Sequence, residues 1–203
     1  MSTWCIVGSG PSGREIPDTP EGLGADNVLC INGSIAHVPI ECCSVYFFYR
    51  YSFKALFPAM LKQGTKLITP HTPRQINEQV PGGIAQHVER IWVGKEGPGI
   101  RRPRAMVWDR KTYPRVHDPV GPHAALYAIL QGASSVHLWG VDGGDRDADG
   151  LPAVPGHAMS AEYHRCILQA AATACPDVRI TQHGNPLFRL TGPNVELDGI
   201  DRH

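Results

Sequence analysis

The sequence predicts an α/β fold of the three-layer, Rossmann-like kind: an open, mainly parallel sheet with helices on both faces. Short apolar runs recur along the chain, separated by turn residues or helical patterns. Their hydrophobicity is continuous rather than alternating, which is typical of strands buried on both faces of a parallel sheet. Two well-delimited helical segments accompany the later runs, and alternation of strands with helices indicates an open α/β sheet.

The predicted strands are short apolar runs. They cover residues 4–7, 27–31, 44–49, 66–69, 90–93, 105–108, 135–141 and 178–181. A helix is predicted over 122–132, since Pro122 stands at its start and Gly132 at its end. Another is predicted over 160–175, because Ser160 can cap its first turn and Pro176 stops it.

Two long segments are predicted loops, in one domain spanning residues 1–203. Residues 94–104 combine Gly, Pro and basic side chains, and residues 142–157 carry four Asp and no helical pattern. Long loops in a compact domain tend to be lids or binding segments, so 142–157 is the predicted mobile lid. The tail after Leu190 is expected to be loosely ordered.

Charge and composition exclude several classes of partner. The 203 residues include 19 Lys and Arg against 19 Asp and Glu, so the formal net charge is zero. Binding to nucleic acid or to an anionic membrane surface needs a basic excess. No apolar run reaches the length of a membrane span, and the N-terminus lacks a signal-peptide pattern. We therefore expect a cytoplasmic protein without a transmembrane segment. The six cysteines include no C-x-x-C pair, which favours free thiols over zinc or disulfides.

A glycine-rich run follows the first predicted strand. Residues 8–13, "GSGPSG", fit G-x-G-x-x-G, the fingerprint of dinucleotide-binding folds. That use also needs a long following helix and an acidic residue after the second strand. Here Pro17 and Pro20 limit the helix to about one turn, and Asn32 follows the second strand. NAD or FAD binding is therefore excluded. Two uses remain open: anion binding by successive amides of the loop, or a tight turn with glycines for close packing.

Three motifs together resemble a known family. "VGSGPS" ends the first strand, an Asn follows the second, and a later helix leads to "VHLWGVD". This resembles the Campylobacter-type bacterial sialyltransferases (glycosyltransferase family 42-like) and their DUF115 relatives, which include archaeal hydroxymethylpterin pyrophosphokinases. The resemblance covers about residues 3–33 and 119–190.

The resemblance implies a nucleotide site and a general base. The residues that it assigns to the nucleotide are Gly8, Ser9, Gly10, Pro11, Ser12, Asn32, Gly121, Gly140 and Asp142. His123, near the start of the 122–132 helix, is a further candidate for phosphate contact. His157 occupies the family's position for the base that deprotonates the acceptor hydroxyl, a task that suits histidine because its pKa lies near working pH.

The sequence also departs from the family. Pro119 and Val120 stand before Gly121 where the family has hydroxyl residues, and the 142–157 loop contains no Tyr. Three functions therefore stay open. The first is a glycosyltransferase that moves a sugar from a CMP- or UDP-type donor to a glycan or small-molecule acceptor and requires no cofactor. The second is a Mg- or Mn-dependent pyrophosphokinase with Asp142 and Asp145 as metal ligands. The third is a non-catalytic nucleotide- or sugar-binding relative.

Overall fold

The fold is an eight-stranded parallel sheet, seen in a computed structural model that describes residues 2–17, 20–80, 82–91, 120–144 and 160–199. The strands are β1 (Ser2–Val7), β2 (Asn27–Ile31), β3 (Val45–Phe47), β4 (Lys66–Thr69), β5 (Val88–Arg90), β6 (Ala133–Trp139), β7 (Arg179–His183) and β8 (Val195–Asp198). Their order across the sheet is β5-β4-β3-β2-β1-β6-β7-β8.

Helices and 3-10 turns connect the strands. The α-helices are α1 (Pro20–Leu23), α2 (Phe57–Gln63), α3 (Pro73–Gln79), α4 (Val120–Leu130) and α5 (Ser160–Ala174). The 3-10 turns are η1 (Pro11–Glu15), η2 (Asn32–Ala36), η3 (Ile40–Cys42), η4 (Lys54–Leu56) and η5 (Ile84–His87). As Pro17 and Pro20 predict, the described residues between β1 and β2 form only the short helices η1 and α1.

Each face of the sheet is covered by its own apolar core. Ile6 and Leu29 point to the face where α4 and α5 pack. Cys5, Val7 and Cys30 point to the other face, against α2, α3 and the 3-10 turns. Alternate residues of one strand therefore serve both cores, which explains the unbroken apolar runs in the sequence.

The strand order reverses at β1. Strands β2 to β5 follow on one side of β1, whereas β6 to β8 follow on the other. In open α/β sheets ligands bind beyond the carboxyl ends of the strands at such a switch point. The glycine-rich loop leaves β1 at this place.

The structure confirms the predicted fold class and both long helices. Strand 178–181 is seen as β7, and 90–93 is displaced to β5 at Val88–Arg90. The predicted strand 105–108 lies outside the described residues, as does most of the 142–157 loop. The expectation of a loosely ordered tail after Leu190 was wrong for residues 195–198, which form β8. This edge strand has three exposed residues among its four, so it leaves no apolar run in the sequence.

The six cysteines are all free thiols in the structure. Cys5 is fully buried, and burial raises the pKa of its thiol to about 12, so it behaves as a small apolar side chain. None of the described helices combines the length and the apolar composition needed to cross a membrane.

Candidate functional site

The glycine loop, residues Gly8–Gly13, packs against the turn that follows β6. The N–H of Gly8 donates to the carbonyl of Trp139 at 2.7 Å, and the N–H of Gly10 donates to the carbonyl of Gly140 at 2.8 Å. A Cβ atom on Gly8 would collide with the Gly140 carbonyl, and one on Gly140, whose φ is +62°, would collide with the Gly8 carbonyl. The glycines therefore allow two backbones to approach closely, which is the packing role that the sequence left open.

A buried serine–aspartate pair ties the loop to the same turn. Ser12 donates its N–H to Oδ2 of Asp142 at 2.8 Å and its hydroxyl to Oδ1 at 2.5 Å. The Ser12 hydroxyl oxygen also accepts from the N–H of Gly140 at 2.7 Å. Ser12 and Asp142 are 3% and 6% exposed. Burial raises the pKa of Asp142, while the two hydrogen bonds from Ser12 oppose that rise.

Most amides of the loop already have acceptors. Gly8 and Gly10 bond to the β6 turn, Ser12 bonds to Asp142, and Gly13 donates to the carbonyl of Gly10 at 2.9 Å. Pro11 carries no N–H. Within the described residues, the N–H of Ser9 is the loop amide that meets no acceptor. The expected ring of successive amides is thus reduced to one open donor.

Asn32 begins the turn after β2 in a conformation that few residues adopt. Its φ is +47°, which Asn tolerates better than most side chains. Its Oδ1 accepts from the N–H groups of Tyr49 at 2.7 Å and Arg50 at 3.2 Å. Its carbonyl accepts from the hydroxyl of Tyr46 at 2.9 Å. Nδ2 of Asn32 has no partner in the part of the chain that the structure describes.

The two open donors lie on adjacent turns. Ser9 and Gly33 are neighbours, since a Cβ atom on Gly33 would lie 3.7 Å from Cβ of Ser9. We call the Ser9 N–H and the Nδ2 of Asn32 the donor pair. Arg50, which is exposed, is joined to Asn32 through its backbone N–H. N–H donors and cationic side chains are the groups that bind phosphate oxygens in proteins, and these residues lie on turns at the switch point of the sheet.

The other predicted site residues fall in different surroundings. Gly121 lies in the first turn of α4, where a Cβ atom would be 2.8 Å from Cγ1 of Val141, so it packs on the β6 turn. His123 is only 1% exposed and is buried in α4. Pro11 is exposed at the start of η1. His157 and Asp145 lie outside the described residues.

An aromatic group flanks the donor pair at the ends of β3 and β4. Nε2 of His71 donates its hydrogen to the carbonyl of Tyr49 at 2.8 Å. Its ring stacks on Tyr51 with centroids 5.2 Å apart and lies equally far from the ring of Tyr49. Tyr49 is 45% exposed. The predicted strand over residues 44–49 ends at Tyr49. His71 was not predicted from the sequence, where its only signal is its position two residues after β4.

The described residues hold no cluster of three or more His, Cys, Asp or Glu side chains placed to bind a metal ion. Both carboxylate oxygens of Asp142 accept hydrogen bonds from Ser12. A metal at Asp142 would therefore have to compete with these bonds.

Comparison with known proteins gives one distant similarity. No protein-family model matches the chain, and no curated protein matches it. Its structure is similar to that of the sialyltransferase CstII from Campylobacter jejuni, solved in complex with the substrate analogue CMP-3FNeuAc. The two share 12% sequence identity with a TM-score of 0.49, over 90% of this chain and 81% of that chain. A similarity this distant says nothing about the substrate of this chain.

Proposed function

We propose that this chain is a nucleotide-binding transferase, a glycosyltransferase that moves a sugar from a nucleotide-activated donor to an acceptor hydroxyl. The observation that carries the proposal is the donor pair, two unfilled hydrogen-bond donors at the switch point of a parallel sheet. The "VGSGPS" and "GVD" motifs, whose family resemblance implies the same chemistry, meet at this point through the bond between Gly10 and Gly140 and the bonds between Ser12 and Asp142.

The donor pair and Arg50 hold the phosphate of the nucleotide sugar. Tyr49 and His71 lie beside them, where a base or ribose has an aromatic surface to contact. The acceptor hydroxyl attacks the anomeric carbon, forming the new glycosidic bond, while the bond to the phosphate oxygen breaks and the nucleotide leaves with the electron pair. His157, the base implied by the resemblance, takes the proton from the acceptor hydroxyl.

A ligand panel tests the proposal against its two alternatives. We expect CMP-3FNeuAc, UDP-glucose or GDP-mannose to raise the melting temperature with and without EDTA, since a ligand at a hundredfold excess over its Kd adds about 2.7 kcal/mol. Binding of ATP with Mg²⁺ alone would favour the pyrophosphokinase. Tight binding of a nucleotide sugar with neither transfer nor hydrolysis would favour the non-catalytic relative.

Asn32→Asp tests the donor pair directly. The new carboxylate keeps an oxygen for the N–H groups of Tyr49 and Arg50 but replaces the Nδ2 donor with a negative charge. We expect affinity for the nucleotide sugar to fall at least about tenfold, as loss of a charge-assisted bond implies, with little change in melting temperature. The control is Asn27→Asp, which makes the same change at the amino end of β2. Equal affinity of the Asn32 variant and the wild type for the nucleotide sugar would contradict the proposal that Nδ2 of Asn32 binds the phosphate.

His157→Ala tests the base. We expect turnover to fall about 100-fold or more, the usual contribution of a general base, while nucleotide affinity stays within about twofold. The matched control is His87→Ala, which removes an exposed histidine of η5. If turnover and affinity fall together, His157 is not the base.

A further inference from the structure

Two histidines and a carboxylate form a chain across β6, β7 and β8. Nδ1 of His137 lies 2.9 Å from Nε2 of His183. Nδ1 of His183 in turn lies 2.9 Å from Oδ2 of Asp198, its register partner on the neighbouring strand. The indole of Trp139 stacks on His183 with ring centroids 4.0 Å apart and planes within 5°. We call His137, His183 and Asp198 the histidine chain.

The position of the protons follows from the carboxylate. Oδ2 of Asp198 lies 2.9 Å from Nδ1 of His183, and its negative charge favours a proton on that nitrogen. Nε2 of neutral His183 then accepts the hydrogen bond that Nδ1 of His137 donates. Nε2 of His137 has no partner among the described residues and is the place where the chain can take up a proton.

The chain can take up one proton without losing the bond between its histidines. When Nε2 of His137 is protonated, the shared hydrogen passes to His183, which then donates to Nδ1 of His137. The added positive charge lies beside Asp198. A second proton would place two donors against each other, so the two histidines titrate as a unit rather than independently.

The histidine chain adjoins the glycine loop. Gly184 follows His183 directly, and a Cβ atom on it would collide with Cβ of Ser12. Trp139, which stacks on His183, accepts the N–H of Gly8 through its carbonyl at 2.7 Å. A positive charge on His183 is therefore next in sequence to Gly184, the residue that packs against Ser12 of the glycine loop.

Burial is the largest influence on both histidines and lowers their pKa values from the usual 6.5. His137 lowers the pKa of His183 further, whereas Asp198 raises the pKa of both. The elements packed against the histidine chain carry these charged and titratable groups: Arg179 on β7, Glu196 and Asp198 on β8, Cys5 on β1, and Arg14 and Glu15, both exposed, on η1. Proton uptake is thus expected below about pH 6.5.

We propose that the histidine chain is a proton-binding switch for the donor pair: uptake of one proton strengthens binding of the anionic part of a nucleotide sugar at the glycine loop. The switch rests on the proposed function and makes the affinity of the same site depend on pH. One unit charge at roughly 10 Å, with an effective dielectric constant of about 20–40, changes affinity for an anion by about four- to seventeenfold.

The first test is the affinity of the tightest-binding nucleotide sugar of the panel between about pH 5 and pH 8, a range in which its phosphodiester groups keep their charge. We expect affinity to rise about four- to seventeenfold as the pH falls. Asp198→Asn, at an exposed side chain, should move the midpoint to lower pH, because the carboxylate that favours the proton is gone. His137→Gln should abolish the pH dependence, and the control His87→Gln should leave it unchanged.

The second test is the histidine nitrogen NMR spectrum of the wild-type protein, which does not depend on a variant folding. We expect His137 to carry its hydrogen on Nδ1 at pH 8, and both histidines to show one shared midpoint. Independent midpoints, or unchanged pH dependence in His137→Gln, would overturn the switch. If a nucleotide sugar binds equally at every pH, only the switch fails. If none binds at any pH, the proposed function fails and the switch fails with it.

Discussion

Among single residues, the hydrogen bonds of the glycine loop show which groups hold the loop in place and which have no partner among the described residues and are available to a ligand. Ser12 and Asp142 were both predicted to contact the nucleotide. In the structure they bond to each other, and the Ser12 hydroxyl also accepts from the N–H of Gly140, so we infer that they position the loop. Ser9 and Asn32 retain the open donors.

Ser12→Ala is expected to destabilise the protein. The change leaves the buried carboxylate of Asp142 with one donor and the N–H of Gly140 without an acceptor. We expect the free energy of unfolding at pH 7 to fall by about 2 kcal/mol, the usual cost of buried groups that lose a partner. Because the lost hydroxyl stabilises the ionised carboxylate, the effect should shrink as the pH falls and Asp142 is protonated.

Urea unfolding at pH 7 and at lower pH measures this effect. The matched control is Ser9→Ala, because the Ser9 hydroxyl has no partner in the part of the chain that the structure describes. We expect that variant to stay within about 0.5 kcal/mol of wild type. Equal stability of both variants at pH 7 would show that the serine–aspartate pair does not hold the loop.

At the scale of elements, one asparagine joins α5 to the edge of the sheet. Nδ2 of Asn194 donates to the carbonyls of Ala172 at 3.1 Å, Cys175 at 3.2 Å and Val178 at 2.8 Å. The last carbonyls of an α-helix receive no hydrogen bond from within the helix and need a donor from elsewhere. Asn194 therefore closes the end of α5 and fixes the chain just before β8.

Asn194→Ala is expected to lower the free energy of unfolding by about 1–2 kcal/mol, through the loss of these bonds. Hydrogen exchange should quicken in β8 and at the end of α5 but not in β1 or β2. The control is Asn77→Ala on the exposed surface of α3, which should leave stability within about 0.5 kcal/mol. Uniformly faster exchange, or no change in stability, would contradict this role.

Long buried elements could be predicted from the sequence, whereas edge elements could not. The apolar runs of β1, β2 and β4 and the helix ends at Gly132 and Pro176 carry strong local signals. The edge strand β8 has one neighbour and exposed residues, so its formation depends on pairing with β7 rather than on its own composition.

At the scale of the whole molecule, the sheet order decides which predicted residues meet. The positions of Ser9 and Asn32 follow from the ends of the first two strands, so local motifs are enough to find them. Which loop amides are already hydrogen-bonded depends on how the glycine loop packs against the turn after β6. The histidine chain depends on β8 lying beside β7. Neither of these two relations is encoded in a local pattern.

The most direct test of the central claim, that the donor pair binds the phosphate of a nucleotide sugar, is a backbone and side-chain amide NMR titration. We expect the largest saturable shifts at the Ser9 amide and the Nδ2 group of Asn32. The amides of Gly8, Gly10 and Ser12 should move less, since they already have acceptors. Binding with its largest shifts elsewhere, and with Ser9 and Asn32 unmoved, would contradict the account.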